Sequence, residues 1–300
     1  MPNSKRPVGR RFTISIIGSG RLGTALALAL SKAGHSVESL VARRQSSSRK
    51  ASRLLQHKPL ALSKNKLTSI PASQILLITT PDDIIEKLAT ELADATRTDT
   101  GRRTVFHTSG ALSSSVLRPL ADSGFNVGSL HPLVSVSEPI LGAEALKNSF
   151  WCLEGDASAL RIAQTLLRSL DGHSFSVSAE NKPLYHAAAL MVSGHLTALV
   201  DLAIEMLASC GLSQSQARRA LLPLVQSAVG NLQIAAPATA LTGPFARGDV
   251  ATVERHLCAL SNLDRHFLEV YKILGRHSLV LARKRGMRPV QIARMEKLMQ

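Results

Sequence analysis

Lys182 and His186 lie four residues apart at the start of a long apolar stretch, and Ser193, Thr197 and Asp201 continue the pattern at intervals of seven, four and four. On one helix these spacings fall on a single stripe, and polar groups on a buried stripe need partners. An ammonium in the first turn can polarise or protonate a substrate oxygen, and an imidazole one turn later reaches the same ligand. The plain alternative is a packed helix whose hydroxyls bond back to carbonyls. That alternative suits Thr197 and Asp201, whereas Lys182 and His186 are read as catalytic and Ser193 as a substrate contact. His131 precedes Pro132 at an expected strand end, where an imidazole titrating near neutrality serves as general acid or base. Lys182 is therefore the expected proton donor, with His131 and His186 assisting and His131 as the alternative donor. In TGPFARGD, residues 242–249, Arg247 fits bidentate binding of a substrate carboxylate and Asp249 reads as the N-cap of the next helix.

These side chains need a scaffold, and it begins with FTISIIGSGRLG at residues 12–23. Ile14, Ile16 and Ile17 form a β-branched run suited to a buried parallel strand. Gly18, Gly20 and Gly23 supply GxGxxG spacing, with Ser19, Arg21 and Leu22 between them, and an alanine-rich helical segment follows at 24–33. In that context the glycines permit a tight turn, close approach to a pyrophosphate and helix-on-strand packing, while free N–H groups at the helix start hold phosphates. A second strand at 36–42 leads into Arg43-Arg44-Gln45-Ser46-Ser47-Ser48. Glu38 comes too early to hold a ribose 2′-hydroxyl, whereas Arg43, Arg44 and Ser46 suit a 2′-phosphate, so the expected cofactor is NADP.

Further strands are expected at 74–79, 104–107 and 126–130, with helices at 84–95 and 114–122. This alternation describes a parallel sheet with right-handed crossovers. Ligands of such sheets bind off the carboxyl ends of the strands, which puts Thr79, Thr80, Thr108 and Ser109 beside the cofactor and leaves His107 to pack or cap. For Thr79 and Thr80 the reading as plain turn residues is equally open. Strands at 151–153 and 174–177, around a helix at 160–169, extend the sheet edge. Beyond about 179 only helices are expected, at 183–209, 213–233, 249–260, 263–281 and 288–299. The fold class is thus α/β, an N-terminal Rossmann parallel sheet followed by an all-helical C-terminal domain. Its divisions are a flexible basic tail at 1–11, an NADP-binding domain at 12–178, and a helical substrate and dimerisation domain at 179–300.

The 300 residues allow two cores, and 45% apolar residues describe an ordinary globular chain. A net charge of +15 invites a nucleic-acid partner, but the charges are scattered and only 3% of residues are aromatic, so an anionic small molecule is preferred and nucleic acid is not expected. Cys152, Cys210 and Cys258 have no metal-ligand spacing and read as reduced packing residues of a cytoplasmic protein without a metal. The run 183–200 is interrupted by two histidines, a serine, a threonine and a glycine. It reads as a helix buried in the protein or a homodimer rather than a membrane span, with His195 in the core or an interface.

The motifs GSGRLG (18–23), HTSGAL (107–112), SLHPL (129–133), KPLYHAAA (182–189) and LTGPFARGD (241–249) together resemble one family. It comprises Rossmann-type proteins with a C-terminal domain of unknown function, number 2520, related to the 6-phosphogluconate dehydrogenase and pyrroline-5-carboxylate reductase group. The resemblance implies an NADP-linked oxidoreductase, dimeric through its helical domain. In related β-hydroxyacid dehydrogenases and ketopantoate reductases a lysine in the first turn of this helix is catalytic, and Lys182 matches it. His186 stands where those enzymes have an asparagine. His131-Pro132-Leu133 is similar to the His-Pro-Met of prephenate dehydrogenases, which oxidise a hydroxyl. The expected activity is NADPH-dependent reduction of a small carbonyl or imine, with a 2-oxo acid such as ketopantoate foremost. The alternatives are a prephenate-dehydrogenase-like oxidation and a non-catalytic NADP sensor.

Overall fold

Strand β1 (Thr13–Ile17) forms where the isoleucines allow burial from both faces, and Ile14 and Ile16 are wholly inaccessible. The computed structural model describes residues 10–95 and 103–300, so the basic tail expected over 1–11 lies outside the described residues except for its last two. Around β1 the chain adds β2 (Ser36–Ala42), β3 (Leu60–Ser63), β4 (Ile75–Ile78), β5 (Thr104–His107), β6 (Asn126–Pro132), β7 (Phe150–Gly155) and β8 (His173–Ser176). Their order in the sheet is β3-β2-β1-β4-β5-β6-β7-β8. The chain winds outward from β1 to β3, then crosses to β4, so the order reverses between β1 and β4 and a crevice opens off their carboxyl ends.

Among the described residues seven helices belong with the sheet: α1 (Arg21–Lys32), α2 (Gln45–Ser52), α3 (Asp82–Ala95), α4 (Arg118–Asp122), α5 (Pro139–Ala145), α6 (Ala157–Arg168) and α7 (Lys182–Met191). One face of the sheet buries Leu26, Leu30, Leu166 and Trp151 in one core with Ile14 and Ile16 of β1, and the other buries Ile85, Leu92 and Leu120. Three features depart from expectation. The serine-rich segment after Arg44 is helix α2, and β3 follows it; Ser48 Oγ donates to Leu62 O at 2.8 Å, so hydroxyls tie the two together where apolar periodicity is absent. Strand β7 pairs antiparallel with β6. The segment 114–122 is a 3₁₀ turn leading into the short α4.

The chain divides by packing into two compact units, one ending at Ser193 and the other beginning at Gly194. The change of texture near 178 is thus not where the packing divides, because α7 is anchored to the sheet by the fully buried Lys182. The expected helix 183–209 is interrupted at Val192–Ser193, giving α7 and α8 (Gly194–Ser209). Ser193 Oγ donates back to Ala189 O at 2.7 Å at this break. Lys182 and His186 thus stand on α7 in the first unit, and Thr197 and Asp201 on α8 in the second.

The second unit continues with α9 (Gln214–Ile234), α10 (Pro237–Ala240), α11 (Gly243–Arg247), α12 (Val250–Leu260), α13 (Arg265–Lys284) and α14 (Pro289–Leu298). A capping box of Ser213 and Gln216 starts α9, and Asp249 accepts from Thr252 N–H at 3.1 Å as N-cap of α12. Its core gathers Val253, Leu279, Ala282, Ile292, Met295 and Met299 from α12 to α14. Within the single chain the segment 183–200 is not buried. An 18-residue window within Ala179–Ser209 has a mean hydropathy of 1.7, long and apolar enough by composition to cross a membrane, yet only 6% of it is buried. Apolar residues surround α8 on all sides, and one neighbouring layer cannot cover them. His195 is exposed, as are Cys210 and Cys258, which leaves Cys152 as the packed thiol among the three.

Candidate active site

At the carboxyl end of β1 the chain turns through Gly18, whose φ of +112° an L side chain rarely adopts. Its N–H donates to Val41 O at 2.8 Å, and Thr79 Oγ1 donates to its carbonyl at 2.6 Å. A side chain on Gly18 would meet the Thr79 carbonyl carbon at 2.6 Å, and one on Gly23 would collide with Gly18 O. At Gly20, by contrast, the side-chain direction is open for at least 4 Å. Thr79 thus braces the loop from below. Ser19 Oγ and Thr80 Oγ1 are buried and have no hydrogen-bond partner among the described residues. A cavity of about 260 Å³ beside this loop is lined by Gly18, Arg43, Lys64, Thr80, Lys87 and Glu91 among others. Arg44 directly precedes α2 and Ser46 lies in its first turn; both are exposed and neither lines this cavity. Arg21 is exposed at the start of α1, and Leu22 packs on the core.

The adjoining strand ends hold the second group of side chains. Thr108 N–H donates to Ile78 O at 3.0 Å, so this residue prolongs the β4–β5 ladder. Ser109 Oγ donates to Asp82 Oδ2 at 2.7 Å and accepts from the N–H groups of Ala111 and Leu112, which turns it inward as the staple of its loop. His107 accepts from Ser109 N–H at 3.2 Å through Nδ1 and donates through Nε2 to Ser113 O at 3.1 Å. Its pKa is lowered to about 4, first by burial and then by the charge of Lys182.

Lys182 opens α7 and is fully buried. Its Nζ donates to Ser129 Oγ at 2.6 Å and to Ser109 O at 3.4 Å, so the ammonium points at the β5 and β6 strand ends rather than at open space. Burial lowers its pKa, opposed by the neighbouring Cys152, Glu154 and Asp82. His131, half-buried at the end of β6, shares a 2.6 Å hydrogen bond between Nδ1 and Tyr185 Oη. Its pKa is lowered to about 4 by burial, then by His186 and Lys182. Burial, followed by Cys152, raises the Tyr185 pKa, so the phenol keeps its proton. The His186 ring stands edge-on to His131 with centroids 5.4 Å apart, and its buried Nδ1 has no partner among the described residues. A side chain at Gly110 would strike His186 Nδ1 and lie 2.9 Å from His131 Nε2, so glycine here lets both ring nitrogens face the loop.

The structure therefore brings Lys182, His131, His186 and Ser109 into one cluster and adds Tyr185, Ser129 and Gly110. These three stand inside motifs the sequence displays, and the i, i+3, i+4 spacing of Lys182, Tyr185 and His186 is the signal that exposes Tyr185. His131, Leu133, Val134, His186, Leu190 and Ser193 contribute to a cavity of about 350 Å³ alongside. Arg247 occupies an exposed position on α11 of the second unit. Chemically, the cluster offers a neutral imidazole backed by a phenol, and a cation held behind it.

No curated protein matches the chain in sequence. Among solved structures, a candidate NADP oxidoreductase of Bacteroides fragilis superposes with a TM-score of 0.73 at 19% identity, covering 90% of this chain and 98% of that one. An imine reductase from Pseudomonas sp. gives 0.58 at 19%, covering 97% and 100%. Pyrroline carboxylate reductase of Plasmodium falciparum, with NADP bound, gives 0.56 at 11%, covering 90% and 98%. At these identities the likeness is one of fold. Residues 2–132 match the Rossmann-like domain family and residues 149–278 match the family described as a domain of unknown function, DUF2520. The chain thus matches a Rossmann-like domain model in its first part and the DUF2520 domain model in its second.

Proposed function

We propose that the protein is an NADPH-dependent reductase of a small imine or carbonyl compound. The observation that carries this reading is a neutral His131–Tyr185 pair at the carboxyl edge of the same sheet that bears the glycine turn. The turn suits a dinucleotide: Ser19 and Thr80 offer unpartnered buried hydroxyls, Gly20 leaves room for a phosphate, and the start of α1 favours negative charge. When bound, NADPH supplies the hydride. Similar folds named as pyrroline carboxylate reductase and imine reductase favour a C=N substrate over the 2-oxo acid, ketopantoate included.

Reduction leaves an electron pair on the former imine nitrogen or carbonyl oxygen, which must take up a proton. His131 is assigned that step. Held at Nδ1 by the Tyr185 hydroxyl, it presents Nε2–H as a neutral donor; as that proton leaves, the hydroxyl proton passes to Nδ1 in concert and the phenol oxygen takes one from solvent water, so no phenolate persists. His186 orients the same substrate atom. Lys182 acts from behind as a positioning residue: its ammonium ties Ser129 and Ser109 together, and its charge adds to the burial that keeps His107 and His131 neutral. Chains are further proposed to pair through α8 and α9, whose apolar residues Leu199, Leu224, Val229 and Ile234 are exposed.

The test is NADPH oxidation with a panel of cyclic imines, ketones and 2-oxo acids, together with NADPH binding by fluorescence. His131→Ala should lower kcat by about 10²–10⁴-fold, the span usual for a lost general acid, with NADPH affinity nearly unchanged. A wild-type protein that does not bind NADPH would remove the cofactor, and full activity in His131→Ala would remove the proposed proton path.

A further inference from the structure

We infer that Lys64, together with Arg43, clamps the 2′-phosphate of the cofactor, and that Arg44 and Ser46 do not. This rests on the NADPH reading above. The parallel register of β2 and β3 sets Val41 beside Leu62 and Ala42 beside Ser63. The next residues, Arg43 and Lys64, therefore leave adjacent strands side by side at the carboxyl edge of the sheet. Both line the 260 Å³ cavity that also touches Gly18 and Thr80. Both are exposed, and neither has an ion pair or side-chain hydrogen bond among the described residues. Two free cations one strand apart, facing a cavity at the glycine turn, match a phosphate monoester dianion. Lys87 reaches the same cavity, but its Nζ lies 3.9 Å from Glu91 Oε1 and its charge is shared.

The residues after Arg43 have a different task. Ser48 Oγ donates to Leu62 O at 2.8 Å and Gln45 Nε2 to Ala61 O at 2.9 Å. Helix α2 thereby holds β3 in register and fixes the position from which Lys64 projects. The serine cluster builds the clamp through the backbone of β3 instead of meeting the phosphate itself.

The experiment measures Kd for NADPH and NADH, by quenching of protein fluorescence, in wild type, Lys64→Met, Lys64→Arg and Arg44→Met. Wild type should prefer NADPH. Lys64→Met should weaken NADPH binding about 10- to 100-fold, as loss of a charge-assisted contact does, and leave NADH unchanged. Lys64→Arg should recover most of the loss, and Arg44→Met should change neither Kd by more than about threefold. Adenosine 2′,5′-bisphosphate as a competitor should lose affinity in parallel with NADPH in Lys64→Met. Wild-type preference for NADPH with Lys64→Met unaffected, or with Arg44→Met the damaging change, overturns the assignment of Lys64. Equal wild-type affinity for NADPH and NADH overturns the NADPH reading itself, and the clamp with it.

Discussion

Helix α1 buries eight of its twelve residues, whereas α8, sixteen residues long and more apolar, buries none. The difference lies in what surrounds each helix. Leu26 and Leu30 of α1 pack into the core over β1, and α5 closes the helix from outside, so neighbours on two sides take up its apolar surface. Helix α9 is the main neighbour of α8 in its own unit, and α9 buries only Ala217. The sheet unit is thus complete as a core, while α8 and α9 present apolar surface that a single chain leaves in water. Hydrophobic content alone does not decide burial; the number of layers around a helix does.

The contrast is broken most directly by truncation. Leu77→Ala, in the middle of the sheet and fully buried, should cost about 2–5 kcal/mol in urea unfolding. Ile234→Ala, at a residue 86% exposed, should cost under about 0.5 kcal/mol for a monomer. If chains pair through α8 and α9, that cost grows with protein concentration, and sedimentation at micromolar concentration gives a dimer. A monomer by sedimentation would retire the pairing.

The second prediction sharpens the comparison through pH. His107 and His131 have pKa values near 4 in the fold, against an ordinary 6.5. Above pH 6.5 neither the folded nor the unfolded state protonates them appreciably. Below it the unfolded chain binds more protons, so stability is lost as pH falls from 6.5 towards 4. For the fully buried His107 the loss is on the order of 3 kcal/mol, and less for the half-buried His131. Urea titrations at pH 7.5, 5.5 and 4.5 measure it; a flat profile would contradict the burial of His107 as a neutral ring.

The smallest effect expected is on a single titration. Because the Lys182 charge adds to burial and His186 in lowering the pKa of His131, Lys182→Met should raise that pKa slightly above about 4, read from the imidazole resonances. NADPH affinity should stay nearly unchanged. A His131 titration unmoved in Lys182→Met would mean the two groups are not electrostatically coupled.

What the sequence determined by itself is everything carried by local pattern. The β-branched run before Gly18, the GxGxxG spacing and the alternation of strands and helices identify the sheet and its carboxyl edge, since period and turn chemistry are properties of neighbours in the chain. His131, Lys182 and His186 were likewise legible as types and spacings. Helix α2 and β3 were not, because a serine-rich helix and a four-residue strand are held by Ser48 and Gln45 bonding across to β3 rather than by periodicity. Tertiary structure alone decided that Lys182 lies buried behind His131, that Tyr185 is its partner, and that Lys64 stands beside Arg43. Each of these depends on strand register or on contacts between residues at least 21 positions apart, and such distances are set only when the sheet closes around them.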